Sequence, residues 1–423
     1  MISKWQWLVL QLTRTLWVRA ALFALLGVGA ALVAAALQGS LPFKIDLGLG
    51  RNAVGDILNI LASSMLAVTT FSLSVMVMAY GTATTNVTPR ATRLLMQDTT
   101  TQNVLGTFLG TFLFSLVGIT ALSTGTYNES GRAILFLVTL VVILLVVMTI
   151  LRWIEHLSYF GRVGDTTGRV ETVTLSALKE RICHPGLGGI TVKSGESLPT
   201  DSAWPVYARS TGLVQHLDMV ELSRLAEKND WTVWVDCLPG AFVSQPRALA
   251  WVEGVRGKEV DEADDAIRCA FTLGNDRSFE QDPRFGLSVL AEIASRALSP
   301  AVNDPGTAID VLGRAVRILS YYSEQNVAEM QSAPIYPRVR VPGLDLNDLF
   351  DDIFAPIARD GASLIEVQMR LHKGLLLLAG QGGHLASCAQ RQALYALKHM
   401  EPSMVLEEDR QRLRDLASGY QQA

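Results

Sequence analysis

Four stretches within the first 152 residues, 20–37, 57–80, 104–122 and 133–151, contain no charged side chain. Each is about as long as the ~20 residues an α-helix needs to cross a hydrocarbon layer ~30 Å thick. A charge at the centre of such a layer costs roughly 2.5–3.5 kcal/mol, so four uncharged runs in succession predict four membrane-spanning helices. The first run is longer than the ~7–15 apolar residues of a signal peptide and follows a long flank, which predicts a retained helix.

Beyond Arg152 the character of the chain changes. Hydrophobic residues make up 49% of the 423 residues, but the apolar excess lies before that arginine and charged residues are frequent after it. The net charge of -4 gives no basic surface, and no nucleic-acid partner is expected. Cys183, Cys237, Cys269 and Cys388 are scattered, form no C-x-x-C pair and lie outside the apolar runs, a pattern that fits free thiols in a reducing compartment. Lys4, Arg14 and Arg19 precede the first run, Arg90 and Arg93 lie between the second and third, and Arg152, Arg162, Arg169, Lys179 and Arg181 follow the fourth. The opposite loops hold Lys44, Arg51 and Arg132. Positive charge collects on the cytoplasmic side, so both termini are expected there.

The four runs differ in ways that bear on function. The fourth is apolar on every face, with Thr139 and Thr149 as its polar residues, and reads as a wall facing lipid. The third carries Gly106-x-x-x-Gly110 together with Thr107, Thr111 and Ser115, a flat face that admits a second helix backbone from the same chain or from another subunit. On the second, Asp56, Asn59, Ser63, Ala67, Thr70 and Ser74, continued by Gly81 and Thr85, fall on one line at helical spacing. Such a polar stripe either packs against neighbouring helices or lines a water-filled pore. Four helices enclose no sizeable pathway, so a pore requires a homo-oligomer, with ions as its cargo. This helix is expected to run past residue 80 until Pro89 ends it. Residues 86–100 then form an elbow, whose Arg90 and Arg93 can meet lipid headgroups or the following domain.

After the fourth run, the chain is expected to continue without a break to residue 172, with Trp153 marking the membrane interface. Residues 172–182 read as an amphipathic helix and 186–201 as a loop or linker. A small mixed sheet is expected from a strand pair over 207–217, a helix at 218–228 capped by Asp218, and strands at 231–237, 241–244 and 248–253. The acidic segment 261–267 reads as a solvated face, because the calcium-loop pattern is missing. From residue 286 the pattern turns helical, interrupted by an extended connection over 332–347. Asn303 and Asp304 lie in a turn that reads either as a helix cap or as a ligand site, with Pro305 suited to the first helical turn. The fold class is thus membrane α-helical (four transmembrane helices) plus a cytoplasmic α+β domain ending in a helical subdomain. The expected divisions are 1–152, 153–200, 201–280 and 281–423.

The stretch SRALSPAVNDPGTAIDVLGR (295–314), preceded by FEQDPRFGL (279–287), resembles the signature of DUF2254, a family of predicted bacterial membrane proteins. FSLSVMVMA (71–79), GLVQHLD (212–218) and PGAFV (239–243) fit the same family. The resemblance spans nearly the whole chain and implies a multi-pass protein of the bacterial inner membrane. It implies no activity.

No nucleophile elbow, phosphate-binding loop, paired-histidine zinc motif or dinucleotide fingerprint is present, so no catalysis, cofactor or metal is expected. Arg277 and Asp282 join Asn303 and Asp304 as polar residues whose convergence only the fold decides. The leading functional expectation is a channel whose pore is lined by the stripe of the second helix and whose cytoplasmic domain gates or filters. The alternative is a non-conducting membrane scaffold or sensor whose cytoplasmic domain binds a partner or small ligand.

Overall fold

The computed structural model describes residues 3–13, 15–37, 53–192, 196, 198–255 and 260–419. Arg14, Lys44 and Arg51, which entered the charge argument, lie outside the described residues. The chain forms two compact units. One comprises Leu8–Thr85 and Thr92–Thr166, and the other comprises Met1–Trp7, Asn86–Ala91 and Thr167–Ala423. They are called here the membrane unit and the α+β unit.

A short helix, α1 (Lys4–Thr13), precedes the first span. The four expected spans are α2 (Leu16–Leu37), α3 (Ala53–Asn86), α5 (Thr99–Ser123) and α6 (Glu129–Leu157), each long and apolar enough to cross a membrane. At 1.5 Å per residue, α3 is roughly 50 Å long and outruns the hydrocarbon layer, as its sequence predicts. It ends at Asn86, and Pro89 opens the next short helix, α4 (Pro89–Met96), inside the expected elbow. Asp98 then caps α5, accepting from the Thr101 backbone N–H at 2.7 Å.

The most buried of the four spans is α5. Its Gly106 and Gly110 sit on Phe23 of α2, and a Cβ added at Gly27 of α2 would collide with the Gly110 carbonyl. The flat face of the third run is therefore used within one chain. Its hydroxyls are satisfied locally: Thr107 donates to the Asn103 carbonyl at 2.8 Å and Ser115 to that of Thr111 at 2.9 Å. Tyr127 ties the α5–α6 turn to α2 by donating to the Ala31 carbonyl at 2.6 Å. The outer surface of α6 is bare, with Leu140, Val141, Leu144 and Met148 exposed, in keeping with a wall facing lipid.

Trp153 is buried, with its ring stacked on His156 at 5.8 Å, in a cluster with Met65, Val104, Phe108 and Val146. One expectation about the end of the fourth run is corrected: the helix does not continue to residue 172. It stops at Leu157, and Gly161 takes a left-handed φ of 77° with Ala79 so close that a Cβ there would press on it. A new helix, α7 (Val163–Cys183), follows.

The α+β unit holds two sheets. The five-stranded sheet has the order β1-β8-β4-β6-β2, from β1 (Gly189–Val192), β8 (Tyr336–Pro342), β4 (Thr232–Val235), β6 (Ala248–Glu253) and β2 (Trp204–Tyr207). The first three are parallel, and the last two pair antiparallel. The antiparallel three-stranded sheet has the order β5-β3-β7, from β5 (Phe242–Val243), β3 (Gly212–Leu217) and β7 (Phe271–Gly274). Helices α8 (Met219–Asn229) and α9 (Val260–Ala270) pack with these strands. Asp218 caps α8 as expected, accepting from the Glu221 N–H at 3.0 Å. In α9, Asp264 and Asp265 both pair with Arg268, which accounts for part of the acidic segment.

The strand pair expected over 207–217 is instead two strands in different sheets, because Tyr207 pairs with Ala248 while Leu213 pairs with Phe242 and Gly274. The linker read over 186–201 supplies β1, and the connection read over 332–347 supplies β8. In β8 the buried Val339 and Val341 alternate with partly exposed Arg338 and Arg340, a period of two that the flanking prolines obscure. Parallel partners must come from distant sequence, so the sheet crosses all three divisions drawn at 153–200, 201–280 and 281–423.

The remaining helices are α10 (Pro283–Ala297), α11 (Pro305–Ser320), α12 (Glu324–Met330), α13 (Leu346–Asp360), α14 (Ile365–Ala379), α15 (Gly383–Ser403) and α16 (Glu407–Ser418). Helices α10, α13, α14 and α15 bury Leu290, Phe350, Phe354, Leu375 and Ala393. Helix α15 runs through Pro402 to Ser403.

The glycine contact of α2 with α5 makes a sharp prediction. Gly27→Val should lower membrane-unit stability by about 3 kcal/mol, the upper range for overpacking. Gly29→Val, two residues away in open space, should be neutral. Thermal unfolding of the two variants in detergent measures the difference.

Candidate functional site

The stripe expected to matter most lies on one open face of α3. Asp56, Asn59, Ser63, Ala67, Thr70 and Ser74 are all exposed, as are Gly81 and Thr85. The opposite face, with Leu58, Leu61, Ala62, Met65, Ser72 and Met76, is buried. Among the described residues, then, the stripe is not used for packing inside the chain. Its hydroxyls bond one turn back along their own helix: Ser63 to the Asn59 carbonyl at 2.9 Å, Thr70 to Leu66 at 2.9 Å and Ser74 to Thr70 at 3.0 Å. Each oxygen keeps acceptor capacity directed away from the helix.

The elbow arginines part company. Arg90 belongs to the α+β unit and meets Glu292 of α10 at 2.6 Å, with Thr88 donating to the same carboxylate at 3.0 Å. Arg93 sits half-buried on α4 within the membrane unit. The turn at Asn303 and Asp304 is a helix cap. Asp304 accepts from the Thr307 N–H at 3.1 Å and from its hydroxyl at 2.6 Å, which holds its carboxyl below the ordinary range. Asn303 adopts a left-handed φ of 52° to turn the chain. Both are exposed and stand apart from the pair Arg277 and Asp282, which does converge.

That pair lines a cavity of about 380 Å³ in the α+β unit. Arg277 grips Asp282 with two bonds, Nε to Oδ2 at 2.7 Å and Nη2 to Oδ1 at 2.9 Å, and its guanidinium lies over the Phe285 ring. Asp282 is only 3% exposed and also caps α10 through the Phe285 N–H at 3.1 Å. Burial pushes its carboxyl upward, and the Arg277 guanidinium opposes that push. The turn after β4 closes over the pair. Gly240, with φ of 91°, lies so near that any Cβ would strike the Asp282 carboxylate.

Three more arginines face the same space: Arg181 from α7, Arg247 before β6, and Arg284 from the first turn of α10. Arg284 is held by Asp352 at 2.7 Å and by Asp348. Arg247 reaches Asp236 only at 3.5 Å and is half exposed. Arg181 is 6% exposed, and its Nη1 is buried without a hydrogen-bond partner. Burial pulls the Arg181 guanidinium down to about 10, so it stays charged at neutral pH at a cost on the order of a few kcal/mol. On its other side, Arg181 borders a second cavity with Trp7 and His216. Burial lowers the His216 imidazole to about 4, so that ring is neutral. No group of three or more histidine, cysteine or carboxylate side chains able to hold a metal ion exists among the described residues.

The DUF2254 family, described as "Predicted membrane protein", matches residues 13–376. The chain belongs to this family. An uncharacterised protein of Mycobacterium bovis and one of Mycobacterium tuberculosis (strain H37Rv) are each 26% identical over 304 residues, covering 68% of this chain. The match covers 57% of the length of these curated relatives. No solved structure matches.

Three of the stretches that carry the DUF2254 resemblance meet at the cavity. PGAFV supplies Pro239, Gly240 and Ala241; FEQDPRFGL supplies Gln281 to Arg284; and GLVQHLD anchors Gln281, which accepts from the Leu217 N–H at 2.9 Å. Arg181, Arg247 and Arg284 were not singled out as site residues from sequence. They are far apart along the chain and only folding joins them, although Arg284 in the Asp282-Pro283-Arg284 tripeptide stands inside a recognisable motif.

Removing Arg277 should expose how the pair works. Arg277→Leu leaves Asp282 buried and uncompensated, and should cost about 3–5 kcal/mol at pH 7. Without its partner the folded-state carboxyl lies well above its unfolded value. The variant's deficit is therefore smallest below the unfolded value and grows as pH rises towards the folded one. Thermal midpoints of wild type and variant between pH 4 and 8 should diverge with increasing pH.

Proposed function

We propose that this DUF2254 chain is a homo-oligomeric ion conduit of the bacterial inner membrane, with the exposed face of α3 lining the pathway and both termini in the cytoplasm. The observation that carries the reading is the polar stripe from Asp56 to Ser74, uncovered in one chain while the opposite face of α3, with Leu58, Leu61, Met65 and Met76, is buried. An amide and a carboxylate facing hydrocarbon are costly, and a ring of subunits turns that face from lipid towards water. There the spare lone pairs of Ser63, Thr70 and Ser74 replace part of an ion's hydration, and Asp56, in the first turn of α3, favours cations at the mouth. The glycine face of α5 is already occupied by α2, which leaves α3 as the span with small and polar residues free for assembly.

The α+β unit is then the gating element. Support for that role lies in the elbow after α3, where Thr88 and Arg90 are fastened to α10 through Glu292. The second reading, a non-conducting sensor, draws on the arginine-lined cavity, which a ligand-binding protein would share.

Reconstituted protein tests the conduit. With exposed Cys269 replaced by serine, cysteines at Ser63, Thr70 and Ser74 should each let a cationic thiol reagent reduce liposome cation flux at least fivefold. A cysteine at Leu144, on the bare face of α6, should leave flux unchanged. A monomer by native mass spectrometry with no flux under any ionic or tension condition would sink the reading.

A further inference from the structure

The cavity in the α+β unit is built for an anion. Four guanidinium groups line it against two carboxylates, those of Asp236 and Asp282. The four are not equivalent. Arg277 and Arg284 are locked by carboxylates and cannot swing away. Arg181 and Arg247 have no such lock: one is buried with an unpartnered Nη1, and the other holds a carboxylate only at 3.5 Å. A buried guanidinium nitrogen without a hydrogen-bonding partner is costly, and a bound anion would complete it.

We propose that this cavity binds a compact phosphomonoester, its phosphate held by Arg181 and Arg247 and positioned by Arg277 and Arg284. A phosphate's three terminal oxygens accept from several directions at once, which suits two guanidinium groups, Arg181 and Arg247, that no carboxylate locks. A volume of about 380 Å³ lies at the small end of the ~300–1,000 Å³ usual for ligand pockets, which sets the limit on the organic part. Leu238, Pro239, Pro342 and Leu344 give that part an apolar wall. The arginines come from α7, the loop before β6, the segment before α10 and α10 itself, so binding draws four segments of the α+β unit together.

The phosphate can arrive on a free metabolite or on a lipid headgroup, and calorimetry on the full-length protein in detergent separates the two. Inorganic phosphate and glycerol 3-phosphate stand for the first, and dihexanoyl phosphatidic acid for the second. Saturable binding of glycerol 3-phosphate at or below millimolar concentration assigns a free phosphomonoester, and binding of the short-chain lipid alone assigns a headgroup. Arg247→Gln, at a half-exposed site with only long contacts, and Arg181→Met should each weaken that binding at least tenfold. Arg412→Gln on α16 should not change it. Arg181→Met should also unfold no earlier than wild type without a probe, because it removes a desolvated charge. Saturation by malonate but by no phosphate probe, affinity unchanged in Arg247→Gln, or no saturable binding at all overturns the proposal.

Discussion

A carboxylate that is 3% exposed has to find its donors within the fold, and Asp282 holds the α+β unit together at the point where it does so. One oxygen accepts the Phe285 N–H and starts α10, both accept from Arg277, and the Gly240 turn presses against the whole. The Gly240 turn and the stretch from Arg277 to Phe285, distant in sequence, are thereby fixed at one place. Arg284 follows Asp282 by two residues, so the same pair fixes where its guanidinium enters the cavity, and Asp348 and Asp352 hold it there. Gly240 is the residue this closure requires: a side chain there would displace the carboxylate as well as strain a left-handed backbone.

In the membrane unit the governing constraint is different, since hydrocarbon offers no hydrogen bonds. Every hydroxyl on the open face of α3 answers it within the helix, by bonding to a carbonyl one turn back. Those hydroxyls need no neighbour, and the stripe is left available. On α5 the small residues serve another end. Gly106 and Gly110 let α2 approach until Gly27 meets a carbonyl, so that surface is consumed inside the chain. Both helices carry small and polar side chains at helical spacing. What separates them is the partner, and only α2 with Phe23 and Gly27 decides which face is used.

This difference shows what was legible in the sequence. The four spans follow from the absence of charge over fixed lengths, a property each segment has on its own, and they stand with their ends extended by a few residues. The caps at Asp218 and Asp304 were legible for the same reason, since a cap is settled within four residues. Of the strands, those at 231–237, 241–244 and 248–253 stand as β4, β5 and β6, whereas β1 and β8 read as linkers because glycine or proline interrupts them and their parallel pairing joins distant sequence. The cavity lay furthest from view. Of its arginines only Arg277 had been marked, and Arg181 had entered only as a charge that sets topology. No local pattern announces a buried guanidinium whose Nη1 has no hydrogen-bond partner.

One helix connects the two regions that matter. The N-terminal turn of α10 lines the cavity through Pro283 and Arg284, while Glu292, roughly 12 Å further along its axis, holds Thr88 and Arg90. Those two residues belong to the elbow through which the chain leaves α3. Leu287 and Leu290 are fully buried on the face of α10 between these points, so both ends of this stretch belong to one close-packed element.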